Sequence, residues 1–178
     1  DCPDTEAEKK RCKQFASVYR TGVGILLWIA GMTRPDVSYA ASQLSKFVSN
    51  PGEVHFKCLQ RVFKYLLGTK DEGLVFVPDN KNNADLSVDL VQSNVLVAAT
   101  DATYGSEEDG SFTFGIVVML NGTPVSWRSK KWPRPSLSSF QAETIAASEG
   151  CRELEYLRGL LEELGYTQKE PTTSYCDN

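Results

Sequence analysis

Three acidic residues stand where secondary structure should begin or stop. Asp101 follows the apolar run 95–100 (VLVAAT), Glu143 lies in FQAET, and Asp177 is the last acid of SYCDN. Carboxylates gathered at one point repel one another unless a cation neutralises them. An all-oxygen set of that kind suits Mg2+ or Mn2+ rather than zinc. Two such ions, roughly 4 Å apart, can activate a water and stabilise the leaving oxygen of a phosphodiester. Composition also argues against zinc. The five cysteines (Cys2, Cys12, Cys58, Cys151, Cys176) show no CxxC spacing, and His55 is the single histidine. Reduced thiols in an intracellular, cytoplasmic protein and a structural His55 are the expectation.

For the three acids to meet, the elements around them must have a definite order. Residues 95–100 read as a buried strand. The polar turn GSEEDGS leads to a second strand over 112–120, and Asn121-Gly122 is a strong hairpin signal. Residues 125–131 (VSWRSKK) alternate as a third strand, and WPRP breaks it. Ser138 with Gln141 three residues later resembles a capping box. It opens a long helix to about Leu164, with Ala142, Ala146, Gly150, Leu154, Leu157, Leu161 and Leu164 as its buried stripe and Gly165 as its stop. Residues 172–176 then read as a closing strand. The order is β-β-β-α-β, a meander followed by a helical crossover, and such a crossover favours a parallel return beside the first strand. Asp101 and Asp177 would then emerge side by side, with Glu143 carried over them in the first turns of the helix.

The front of the chain is written differently. Residues 1–13 are polar and charged and read as a loose lead-in. Phe15, Val18, Gly22, Ile25 and Ile29 recur at helical spacing, which predicts the buried face of a first helix. The apolar run 22–32 is too short to cross a bilayer and reads as buried, and no charged leader with a cleavage site is visible at the start. After the TRPD turn, Val37, Ala41, Leu44 and Val48 predict a second helix, up to the Asn50-Pro51-Gly52 break. Val54, Cys58, Val62 and Leu66 predict a third, capped by Gly68. Trp28 and the tyrosines read as core. Residues 74–77 read as a strand, and the polar stretch 79–93 as a linker. The domains expected are therefore a helical segment over 1–78, a linker over 79–93 and an α/β unit over 94–178.

Charge follows the same division. Up to Lys70 the chain holds 11 basic and 6 acidic residues, a balance of +5, and the remainder holds 8 and 17, a balance of −9. The front could touch an anionic partner or be an ordinary solvated surface. In the back half, Arg128, Lys130, Lys131 and Arg134 cluster with Trp127 and Trp132. Alternation puts Arg128 and Lys130 on one strand face and Trp127, Ser129 and Lys131 on the other. Such residues suit the backbone of a nucleic acid, and lysines guarding an edge strand against aggregation explain them equally well.

Several ordered motifs carry a family resemblance. The front half contains YRTGVGILLWIAGMTRPDVSYAASQLSKF, the P-x-x-x-H spacing and RVFKYLLGT. The back half contains TDATYG, PVSWRSKKW, LSSFQAET, LRGLLEELG and YCDN. Over roughly residues 15–178 the chain resembles a copia-type LTR retrotransposon polyprotein, from the thumb or connection region of its reverse transcriptase into its ribonuclease H. The resemblance implies an α/β fold in which a helical segment precedes a ribonuclease H-like mixed sheet. It implies metal-dependent hydrolysis of the RNA strand of RNA–DNA hybrids, with Asp101, Glu143 and Asp177 as catalytic and metal-holding acids for two Mg2+ or Mn2+. It also implies the hybrid and the rest of the polyprotein as partners, with Arg128, Lys130, Lys131 and Arg134 toward the nucleic acid and Arg61 and Lys64 in the front half. The sequence departs from the family at Gln141, Thr103 and Tyr104, where relatives carry an acid, a second aspartate and a tryptophan. The family continues past CDN with more helix and a fourth acid, so a C-terminally truncated unit is expected. The alternative is a domesticated, inactive remnant that serves as a structural or protein-interaction module.

Overall fold

The computed structural model describes residues 5–76, 94–104 and 110–177, the side chains of residues 7–11 and 14 excepted. The chain divides into two compact units, Asp1–Gly73 and Leu74–Asn178. The expected linker 79–93 and most of the GSEEDGS turn lie outside the described residues.

The first unit is helical: α1 (Glu6–Met32), a 3-10 turn (Pro35–Val37), α2 (Ser38–Ser45) and α3 (Glu53–Gly68). Its start corrects the expected loose lead-in, because the helix already runs from Glu6. The lead-in is rich in Glu, Ala, Lys and Arg, good helix formers that need no apolar stripe. The buried face of α1 is also corrected, by one residue. Tyr19, Val23, Leu26 and Ala30 form the core with Val37, Ala41, Leu44 and Leu59, while Val18 and Ile25 are exposed. Trp28 is exposed as well, and of the described tyrosines only Tyr19 is buried, its hydroxyl donating to Leu44 O at 2.8 Å. The stretch Phe15–Met32 is long and apolar enough, by length and composition, to cross a membrane, which the shorter run 22–32 is not. Its Tyr19–Ala30 face builds the core of this unit.

The stripe expected for α2 is the one observed, with Val37, Ala41 and Leu44 buried and Val48 packed against them. On α3, Val54 and Cys58 are exposed and His55 and Leu59 are buried instead, again a shift of one residue. The cause is His55, which turns inward: its Nδ1 accepts the Gly52 N–H at 2.9 Å and its ring stacks on Phe47 at 3.9 Å. Burial holds its pKa below 6.5. Gly68 is the last helical residue rather than the cap, and Thr69 caps α3.

The TRPD turn is fastened to that end of α3. Arg34 donates to both Asp36 oxygens at 3.0 and 2.7 Å, to Thr69 O at 3.0 Å and to Thr69 Oγ1 at 2.7 Å. Tyr65 donates to Asp36 Oδ2 at 2.9 Å. These bonds, the Arg34 ones first, hold Asp36 below its ordinary pKa against the opposing effect of burial.

The second unit is a mixed four-stranded sheet in the order β3-β2-β1-β4 with one long helix: β1 (Leu96–Thr103), β2 (Phe112–Leu120), β3 (Thr123–Trp132), α4 (Ser139–Glu163) and β4 (Thr173–Tyr175). β1, β2 and β3 form the antiparallel meander, and β4 returns parallel to β1. Asn121 and Gly122 both take positive φ (53° and 76°), the tight turn that the right-handed twist of two strands favours. Residues 74–76 form no strand. Val75 instead offers its carbonyl to Thr123 Oγ1 at 2.6 Å, and Val77 lies outside the described residues.

Helix α4 begins at Ser138, whose side chain accepts the Gln141 N–H at 3.2 Å. The return bond of the box lands one residue early, from Leu137 N–H to Gln141 Oε1 at 2.8 Å. The helix ends with Gly165 at φ 86° and bonds from Tyr166 N to Leu161 O and from Gly165 N to Glu162 O, which satisfy its last carbonyls. Its buried residues are Ala142, Glu143, Ala146, Gly150 and Leu154, while Leu164 is exposed. They pack on Leu96, Ala98 and Ala102 of β1 and Phe112, Phe114, Ile116 and Val118 of β2. Gly150 permits the closest approach: a Cβ there would lie 2.5 Å from Thr100 Cγ2.

Candidate metal centre

The parallel pairing of β1 and β4 sets the geometry of the acids. Val97, Ala98 and Ala99 pair with Thr173, Ser174 and Tyr175. Asp101 lies two residues past Ala99 and Asp177 two past Tyr175, so both aspartates fall in the same row beyond the last pair. Glu143 comes from the first turns of α4 and is buried, with 6% exposure, whereas Asp101 and Asp177 are exposed.

A metal-ligating oxygen or sulfur of Glu143, Cys176 and Asp177 lies within 4.8 Å of the others. The Ala102 N–H donates to Glu143 Oε1 at 3.2 Å, and the Cys176 thiol lies 3.6 Å from Oε2. Glu143 thus reaches the sheet one residue past Asp101, at the backbone. Asp101 itself is outside this close group. Along β1, Ala98, Thr100 and Ala102 are buried on the side toward α4, and Asp101 and Thr103 are exposed on the other.

The donor set fits a divalent cation of the Mg2+ or Mn2+ kind through its two carboxylates, while the thiol is a softer ligand that these ions do not require. Cys176 is the residue that reading the sequence for acids passes over. The signal was its place in the strand, one step before Asp177 and on the alternate face, toward α4. Among the described residues Cys12, Cys58, Cys151 and Cys176 are all free thiols.

The basic cluster is split by β3. Arg128 and Lys130 are exposed and alternate with the half-buried Trp127, Ser129 and Lys131. Arg128 turns to α4 and pairs with Glu153 at 3.1 Å, where Ser126 also donates to Glu153 at 2.6 Å. Arg134 lies exposed in the turn after β3, and Trp132 packs on Phe112 and Phe114 of the core. Arg61 and Lys64 are exposed on α3.

Relatives share this sequence over most of its length. The retrovirus-related Pol polyprotein from transposon RE1 of Arabidopsis thaliana is 37% identical over 161 residues, 90% of this chain and 10% of that protein. The corresponding polyprotein from transposon TNT 1-94 of Nicotiana tabacum is 32% identical over 178 residues, 99% of this chain and 12% of that protein. The secreted RxLR effector protein 161 of Plasmopara viticola is 36% identical over 140 residues, 78% of this chain and 90% of that protein. No protein-family model and no solved structure matches. Over most of its length the chain is homologous to a segment of copia-type retrotransposon Pol polyproteins, and it spans about a tenth of the length of the plant polyproteins it matches.

Proposed function

We propose that the second unit is a ribonuclease H-like domain that hydrolyses the RNA strand of RNA–DNA hybrids with a divalent cation. The observation that carries this reading is the buried Glu143 carboxylate meeting Asp177 just past the parallel β1–β4 pairs, in a relative of Pol polyproteins. Glu143, held by the Ala102 N–H, and Asp177 would hold the cation, with Asp101 as the third acid on the neighbouring strand. The bound cation would supply an activated water and charge neutralisation at the phosphate. Lys130 and Arg134 are exposed basic groups that suit the phosphate backbone of a hybrid, whereas Arg128 is already engaged by Glu153.

A second reading, an inactive protein-interaction module, is favoured by two observations. Asp101 stands outside the close group. A relative named as a secreted effector is covered over 90% of its length by the matching segment. One assay decides between them: the folded chain with a labelled RNA–DNA hybrid and Mg2+ or Mn2+, beside Glu143→Gln and Asp101→Asn. The enzyme reading expects cation-dependent cleavage that falls about 100-fold or more in each variant. Intact RNA after incubation with folded wild-type chain supports the module instead.

A further inference from the structure

β4 should not hold itself in place. It is three residues long, all of them exposed, and it makes three pairs with β1. Strands of that length at a sheet edge open readily. Yet this strand delivers Cys176 and Asp177 to Glu143.

What fastens it lies just upstream. Arg158, half-buried on α4, donates to Gln168 O at 2.5 Å, to Glu170 O at 2.9 Å and to Thr172 Oγ1 at 2.6 Å. The three acceptors span the five residues before β4. Gln168 then ties that segment to the start of β1. Its Oε1 accepts the Leu96 N–H at 3.3 Å and its Nε2 donates to Asn94 O at 2.6 Å. A guanidinium has five donors in a rigid fork, so one side chain can engage three separated oxygens, and an ammonium on a flexible stem cannot match that geometry.

We propose that Arg158 is the positioning residue for Asp177: its fork fixes residues 168–172 against α4 and so sets β4 in the register that places Asp177 beside Glu143. This rests on the reading that Glu143 and Asp177 act together, and its test keeps the two apart. The test is amide hydrogen exchange on the full chain, comparing wild type with Arg158→Ala and Arg158→Lys, followed by Mn2+ titration with line broadening read at the Ala102 and Asp177 amides. Exchange at Thr173–Tyr175 is expected to speed up about 10-fold or more in both variants while the β1–β2 amides keep their protection. Mn2+ is expected to broaden both reporter amides in wild type, and Ala102 alone in the variants. Unchanged protection of β4 in Arg158→Ala overturns the proposal, as does full protection in Arg158→Lys, which also serves if the alanine variant fails to fold. If Mn2+ broadens neither amide in wild type, the metal reading fails and the exchange rates alone decide the role of Arg158.

Discussion

The helical unit leans on one long helix that is apolar on nearly every side, and the sheet unit on one inner strand face that meets a single stripe of its helix. On α1, Tyr19, Val23, Leu26 and Ala30 face the core while Val18, Ile25, Leu27, Trp28 and Met32 stay exposed. In the sheet unit, small residues of α4 (Ala142, Ala146, Gly150) settle onto the alternating inner face of β1 and β2. The difference is one of constraint. A strand slipped by one residue would turn its whole apolar set to solvent. A helix with apolar residues all round loses little by rotating, so its partners choose which face is buried.

The sharpest way to break that contrast is a pair of truncations on α1. Leu26→Ala should cost about 3 kcal/mol, because Leu26 is fully buried. Trp28→Ala, with Trp28 66% exposed, should change stability by less than about 0.5 kcal/mol. Denaturant unfolding measures both, and a large loss from the tryptophan would show that the two faces have been exchanged.

The same contrast explains what could be read from residues alone. The meander, the Asn121-Gly122 hairpin, the crossover helix and the parallel return follow from period-two alternation, turn chemistry and connection rules, each of which allows one answer here. On α1, Val18 and Ile25 keep helical spacing as well as Tyr19, Val23 and Leu26 do, so spacing alone does not select the buried face. On α3 the inward turn of His55 depends on Phe47 and the Gly52 N–H, which no local pattern announces. At the site, Glu143 and Asp177 could be nominated from their places at element ends. The position of Asp101 on the face away from α4, the thiol of Cys176 and the Arg158 fork required the register itself.

Within the sheet unit the helix–strand seam offers the next effect. A methyl on Gly150 would run into Thr100, so Gly150→Ala should cost about 2 kcal/mol. Thr100→Val should instead stabilise by up to about 1 kcal/mol, since the buried Thr100 Oγ1 has no hydrogen-bond partner. A thermal melt compares the two; destabilisation by the valine would mean that the hydroxyl is satisfied after all.

The smallest effect distinguishes the units by pH. Burial lowers the His55 pKa below 6.5 in the folded state. The unfolded chain therefore takes up the proton first as pH falls. The contribution of His55 is complete above pH 6.5 and drains as the pH drops toward the folded-state value. Stability of the helical unit should decline as the pH falls below 6.5, and His55→Gln should flatten that slope. A slope unchanged in the variant would assign the acid sensitivity elsewhere.

In the proposed function Glu143 and Asp177 act as one metal centre. Its most direct test is the rate of RNA cleavage in an RNA–DNA hybrid by wild type, Glu143→Gln, Asp177→Asn and the double variant, at saturating Mn2+. Each single change is expected to remove nearly all activity, and the double variant to be no slower than either. Additive losses, or a wild-type rate retained in either single variant, would contradict it.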